Sequence, residues 1–430
     1  MKTKLVLGLV SALILLSLSS TYVAVGRAWY NSTYPWSQNQ HDSQHTGASE
    51  SAPPSDNSTI WVYGSGGYLS RARNLIVNDG RVLGIQANSF FILDETTGAL
   101  VLTGGGGSEY ETNVGGAYDI GKIYYTSYDM YGRGTLYCYN ATSGNRLWNY
   151  DIPLGQIRQP PTVSQNRVYV GTINNYLYCI EDGILKWDKE LGGPIYSAPA
   201  VDDDFLCIGS NDGKLYAFNI SGVQPISLWN YTVDNSITGP IAIKEDKIYF
   251  SGSTGYLYVL DRTSGQLIWS WKSKSDEDLE IAIASGIVYV CTNIVQGGLY
   301  ALYSNVTAGN YDYNSSEPRL WSDETADGSY GIAIAGNTLF YVDLNNVLHA
   351  RNTLTGTNLW SFQLDYGAIS PIVADDHVFV ADQTQVYCIG SVYPIPEFTL
   401  PMTILLCGII TLTAIGLRKR RYSPKKSFFD

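Results

Sequence analysis

Charge and histidine are scarce here. Only 15% of the 430 residues are charged, and there are four histidines and three methionines. No Cys-x-x-Cys is present among the six cysteines, so a thiol zinc or dithiol redox motif is excluded. No Asp-x-Asp-x-Asp-Gly run offers a calcium loop. The glycines of 104–107 and 115–116 are followed by no Lys-Ser/Thr of a phosphate cradle. No nucleophile-elbow phrase surrounds any serine. Basic residues are few outside the ends. Residues 5–417 carry 19 basic against 38 acidic side chains, an imbalance that repels phosphate backbones and argues against nucleic acid.

What is plentiful is tyrosine, with 34, and glycine, with 43, a composition suited to short strands and tight turns. Trp148, Trp187, Trp229, Trp269, Trp321 and Trp360 close related phrases at intervals of 39, 42, 40, 52 and 39 residues. A period near 40 with strand-like contents predicts a circular β array. Each unit contains a small or proline-bearing start, an alternating strand such as 167–171, an Asn/Asp/Gly turn, a second strand such as 256–260, and a Leu-Trp strand. That grammar is a four-stranded antiparallel meander. The sheets would stack face to face around an axis, each tryptophan filling the gap between neighbours.

Central hairpins start near Val82, Ile123, Val168, Phe205, Ile248, Val288, Leu339 and Val378. The expected fold is therefore all-β, an eight-bladed propeller, with seven blades the alternative. The first repeat has Leu102 in place of tryptophan, and the eighth lacks its last strand. Trp61 lies 41 residues before Leu102 and is expected to supply that strand, closing the ring. The unit before Trp321 is longer, and its extra loop, 303–318, is expected to point to open solvent. The acidic runs 202–204 and 276–280 read as solvated inter-strand loops rather than metal sites. His41 and His45 read as docking residues of a lead-in segment; His349 and His377 stand alone within strands. Cys138, Cys179, Cys207, Cys291 and Cys388 read as small buried hydrophobes, and Cys407 falls in an apolar terminal run.

Both termini are apolar. The run 5–25 reads as a secretory signal or an uncleaved anchor. The run 399–417 precedes a basic cluster at 418–421, and the positive-inside rule puts 28–398 outside the membrane. Sequons at Asn31, Asn57, Asn140, Asn219, Asn230, Asn305 and Asn314 all fall in that exterior span. The expected layout is a signal or anchor over 1–27, a lead-in over 28–55, a propeller over 56–392, a short motif at 393–398, a membrane helix over 399–417 and a basic tail over 418–430.

Asp261-Arg-Thr-Ser-Gly-Gln-Leu-Ile-Trp269 resembles the tryptophan-docking repeat of the pyrroloquinoline-quinone (PQQ)-like propellers. That family includes quinoprotein alcohol dehydrogenases and the lipoprotein propeller of the bacterial outer-membrane assembly complex. Trp36 to His45-Thr-Gly47 is similar to the segment that precedes such propellers. The resemblance covers about 36–390 and implies the fold far more than a function. The quinoprotein enzymes carry an adjacent cysteine pair, a substrate cap or a haem motif, and this chain has none of them. Pro396-Glu397-Phe398 before the apolar run resembles the archaeal PEF-type sorting signal, which implies processing and re-anchoring; a plain membrane helix is the other reading.

The expected function is a non-catalytic, membrane-anchored cell-surface scaffold for a protein or cell-wall glycan partner, without cofactor. Two alternatives stand beside it: an enzyme using PQQ or calcium in the axial funnel, which a perturbed carboxylate cluster on the axis would favour, and a purely structural envelope component.

Overall fold

A computed structural model describes residues 36–38, 40–64, 74–86, 89–105, 112–153, 155–292, 297–306 and 308–391. Everything below concerns this propeller unit, which ends at Ser391. The two apolar runs, Asn31, Cys407 and Pro396–Phe398 lie outside the described residues. Among those described, no helix is long and apolar enough to cross a membrane.

Eight sheets form in chain order, each an antiparallel meander with its first strand innermost. Blade one spans 75–104, blade two 112–151, blade three 162–190 and blade four 200–232. Blade five spans 241–272, blade six 279–323 and blade seven 329–363. Blade eight takes three strands from 372–390 and its fourth from Thr59–Gly64. Inner strands vary, from three residues in Thr162–Ser164 and Ile372–Ala374 to eight in Thr112–Asp119. Outer strands such as Ile184–Glu190 run to seven.

Alternation explains the packing. Successive strand residues point to opposite faces, so each blade presents one apolar face to each neighbour. Every adjacent pair shares a buried cluster. Ile76, Leu83 and Ile92 of blade one meet Ile123 and Tyr125 of blade two. Leu257 and Trp269 of blade five meet Ile281 and Val290 of blade six. The last cluster joins blades seven, eight and one, closing the ring.

The repeat tryptophans lie between blades. Trp229 packs on the turn of blade five, where a Cβ on Gly265 would meet Trp229 Cδ2 at 2.4 Å. Gly265 also has φ +69°, so two requirements converge on glycine there. Trp321 sits likewise on Gly356, Trp148 on Gly183 and Trp61 on Gly98, while Leu102 occupies the equivalent place over Gly144. Trp61 on Gly98 is one contact between the last blade and the first, and Tyr63 on Phe91 is another. The five cysteines at 138, 179, 207, 291 and 388 are buried free thiols.

One expectation needs correction and another is extended. The extra loop before Trp321 does face solvent, with Asn305 and Asn314 exposed, but it also forms a strand. Its residues Gly309–Asp312 add a fifth, parallel strand to blade five, pairing along 269–272. The outer edge of a blade carries unpaired backbone groups, and the insertion satisfies them. The run 276–280 is not wholly a solvated loop, because Leu279–Ala284 is the inner strand of blade six.

Candidate functional site

The inner strand of every blade has one free edge facing the axis, and its buried N–H groups need acceptors. The lead-in supplies them, blade by blade. Val77 N donates to Trp36 O at 2.9 Å and Tyr118 N to Ser37 O at 2.8 Å. In blade three, Val163 N donates to Gln38 Oε1 at 2.8 Å and Gln38 Nε2 donates back to Val163 O at 2.7 Å. Val201 N reaches Ser43 O, Ile243 N reaches Gln44 O and Ile283 N reaches Thr46 O. Ile334 N reaches Gly47 O at 3.0 Å, and Ala48–Ser49 then pairs in parallel with that strand. In blade eight, Asp376 N donates to Ser51 Oγ at 2.7 Å. Residues 36–51 thus visit all eight blades in order and close one end of the axis.

The seven amides from Val77 to Ile334 are equivalent positions in seven blades, each opposite the second strand's start. Threading them requires unusual backbone: Gln40, His41 and His45 have φ of +54°, +84° and +59°. His45 is 1% exposed, with Nε2 3.2 Å from Thr162 Oγ1. Burial pushes its pKa down to about 4, against the pull of Asp42. Asp42 accepts from Thr46 N and Oγ1 and pairs with His41 Nδ1, contacts that outweigh its burial and hold its carboxyl low. The His41 ring meets Trp36 edge-on at 5.1 Å.

The other end of the axis is open. A cavity of about 380 Å³ has Trp36, Gln38 and Gln40 of the lead-in among its walls. The rest comes from the starts of inner strands and the segments leading into them, including Arg158, Pro160, Pro240, Asp278, Glu280 and Ser370. Burial, and then the Asp278 charge, push Glu280 up to about 8. Thr238 Oγ1 donates to Asp278 Oδ2 at 2.8 Å. Asp278 Oδ1 and Gln40 Oε1 are buried with no hydrogen-bond partner among the described residues. The acid run hid this pair, since Asp-Glu-Asp reads as a turn; only the alternation after Leu279 marks the strand.

The remaining candidates do not converge on the cavity. Asp202 pairs with Arg262 and accepts from Gln44 Nε2, tying blade four to blade five and the lead-in. His349 is not isolated: Nε2 lies 3.0 Å from Asp343 Oδ2 and Nδ1 3.1 Å from Ser361 Oγ. This Asp-His-Ser chain lies across the strands of blade seven, and none of the three lines the axial cavity. His377 Nδ1 bonds Asp375 O. Among the described residues, no group of three His, Cys, Asp or Glu is arranged to hold a metal ion.

The sequon asparagines differ. Asn230, Asn305 and Asn314 are exposed; so is Asn57, which donates to Ser361 O. Asn140 and Asn219 cap their own turns, accepting from Ser143 and Ser221. They occupy the turn position that Asp94 and Asp261 hold in other blades.

The PQQ-like repeat family described as outer membrane protein assembly factor BamB matches residues 132–352 and 311–389. The assembly factor BamB of Shewanella oneidensis is 22% identical over 298 residues, covering 65% of this chain and 74% of that one. Crystal structures agree on the fold. BamB from Moraxella catarrhalis superposes with TM-score 0.61 at 15% identity, covering 78% of this chain and all of that one. Quinohemoprotein alcohol dehydrogenase from Comamonas testosteroni gives 0.65 at 16%, covering 84% and 82%.

The second likeness raises the question of PQQ, a tricarboxylate that needs donors around it. Here the unpaired atoms at the cavity are acceptors, and Glu280 adds more. Arg158, the one cation on the wall, is already bonded to Gln156 and Tyr128. The residues do not fit that cofactor. By the span of its repeats and the match over more than half its length, the chain belongs to the PQQ-like propeller family of the assembly factor BamB.

Proposed function

We propose that this chain is a non-catalytic scaffold of the cell envelope, receiving a protein partner at the open end of its axis. One observation carries the reading: the lead-in closes one end of the ring and leaves a walled cavity at the other. Exposed apolar side chains stand in loops at both ends, Met130 at 66% and Tyr366 at 76% at the open one, Ile120 at 76% and Val223 at 84% at the sealed one. Large apolar side chains left in solvent are what partner surfaces use. Relatives named as assembly factors support the same class of activity. The apolar runs 5–25 and 399–417, the Pro396–Phe398 motif and the exposed sequons complete the proposal, as anchors and glycan sites of a surface protein. A cell-wall glycan is the other partner class.

Photo-crosslinking tests it. A photoreactive residue replaces Met130 or Tyr366 at the open end, and Ile120 or Val223 in turns at the sealed end. In intact cells, one discrete adduct is expected from the first two positions and none from the second two. Adducts confined to the sealed end would overturn the assignment.

A further inference from the structure

We propose that the axial cavity binds an ammonium group, held by Gln40 Oε1, Asp278 Oδ1 and the Glu280 carboxyl. The three oxygens come together through two elements. Gly47 N donates to Gln40 O at 2.9 Å, and a Cβ on Gly47 would lie 2.9 Å from Ala282 Cβ. Asp278, Glu280 and Ala282 alternate along one strand and its approach, so they share a side. Gln40, Asp278 and Glu280 all line the same cavity.

Two of these oxygens are buried without a donor, and the half-buried Glu280 carboxyl stands beside them on the cavity wall. Asp278 spends Oδ2 on Thr238 and has nothing at Oδ1. Gln40 Oε1 is buried and unpaired. Among the described residues no donor reaches Glu280. Buried acceptors without partners are costly, and a ligand carrying N–H groups relieves that cost. Arg158 does not serve. Its Nε bonds Gln156 Oε1 at 2.8 Å, and its guanidinium lies 4.7 Å over the Tyr128 ring.

The number of donors decides the ligand class. An ammonium offers three N–H donors, one for each oxygen. Calcium wants six to eight oxygens at close range, more than this wall offers. The charged groups lining the cavity are Arg158, Asp278 and Glu280. An incoming cation favours ionised Glu280, so binding strengthens as pH rises towards and past 8. The ammonium belongs either to a free amine or to a partner's lysine. The lysine version rests on the scaffold reading above. The site itself does not, so its failure leaves the crosslinking result untouched.

The test is calorimetric titration of the full-length chain with n-butylammonium, tetramethylammonium, a capped Gly-Lys-Gly peptide and calcium chloride. Saturable binding of butylammonium is expected, with tetramethylammonium, which has no N–H, at least tenfold weaker. Affinity for butylammonium should rise at least tenfold from pH 6 to pH 9. Glu280→Gln and Asp278→Asn should each weaken it at least tenfold. A peptide tenfold tighter than butylammonium identifies a protein lysine as occupant, and equal affinities identify a free amine; both support the site. No saturable butylammonium binding at either pH, or calcium binding in its place, overturns the proposal. Should the variants fold poorly, the wild-type contrasts between the two amines and the two pH values still decide.

Discussion

Trp229 and Trp360 hold the same repeat position yet find different partners. Nε1 of Trp229 donates to Arg262 O at 3.0 Å, and Trp61, Trp269 and Trp321 reach equivalent carbonyls at Glu95, Ser304 and Thr353. Nε1 of Trp148, Trp187 and Trp360 is buried without an acceptor among the described residues. The neighbouring turn explains each case. Blade three turns through only Asp182 and Gly183, too short to offer the carbonyl. In blade four the matching Ile220 O accepts from Arg167 Nη1 instead. Blade eight has no third-to-fourth turn, because its fourth strand comes from the other end of the chain. The periodic tryptophans are plain in the sequence. Their acceptors are not, because a neighbour's turn length decides them. Trp→Phe at either site loses similar volume, but only at 229 is a satisfied hydrogen bond lost. Trp229→Phe should therefore cost about 1 kcal/mol more than Trp360→Phe in urea unfolding. Equal costs would show that the Arg262 bond contributes nothing net.

At the scale of an element, the lead-in is where the sequence was least readable. Trp36 and His45-Thr-Gly47 carried a likeness, but nothing in 36–51 has a period or an apolar stripe. The segment is specified by backbone amides on seven distant strands and one turn, which leave no mark on its own residue pattern. His45 offers a handle on it. Its folded pKa, about 4, lies below the ordinary 6.5, so between those values the unfolded chain binds more protons than the folded one. Stability from this group is complete above pH 6.5 and is lost as pH falls to 4, by about 3 kcal/mol at 1.36 kcal/mol per pKa unit. Glu280 works in the opposite sense. Its raised pKa makes the folded chain bind more protons between about 4.5 and 8, so its contribution falls as pH rises. A comparison with His45→Asn cancels the Glu280 effect. The stability difference between wild type and that variant should shift by about 3 kcal/mol against wild type from pH 6.5 to 4. A pH-independent difference would mean that His45 is already protonated in its niche.

For the whole molecule, the central fact is closure by a strand from the other end of the chain. Trp61, 41 residues before Leu102, made that strand legible, and eight hairpin starts made eight blades countable. The parallel strand Gly309–Asp312 was not legible, since Gly-Asn-Tyr-Asp has neither alternation nor β-branched residues. Neighbouring blades follow one another along the chain, so a lost contact between them leaves them tethered, whereas the third and fourth strands of blade eight come from distant parts of the sequence. The ring is closed inside blade eight, where Thr59–Gly64 pairs with Gln385–Gly390 from the far end of the propeller, and Gly390 N donates to Ser58 O at 2.9 Å. Trp61 is central to this seam, pairing with Cys388, meeting the Phe379 ring at a tilt and covering Gly98 of blade one. Trp61→Ala should cost about 3–5 kcal/mol, as large-to-small core changes do. The distinctive outcome is where the loss appears. Hydrogen exchange should quicken first in 59–64 and 372–390, on the two sides of the seam, while blades three to six keep their protection. Trp269→Ala removes a more deeply buried tryptophan between blades five and six and should leave the seam protected. Identical exchange patterns in the two variants would mean that the ring unfolds as one unit and that its closure is no weaker than any other interface.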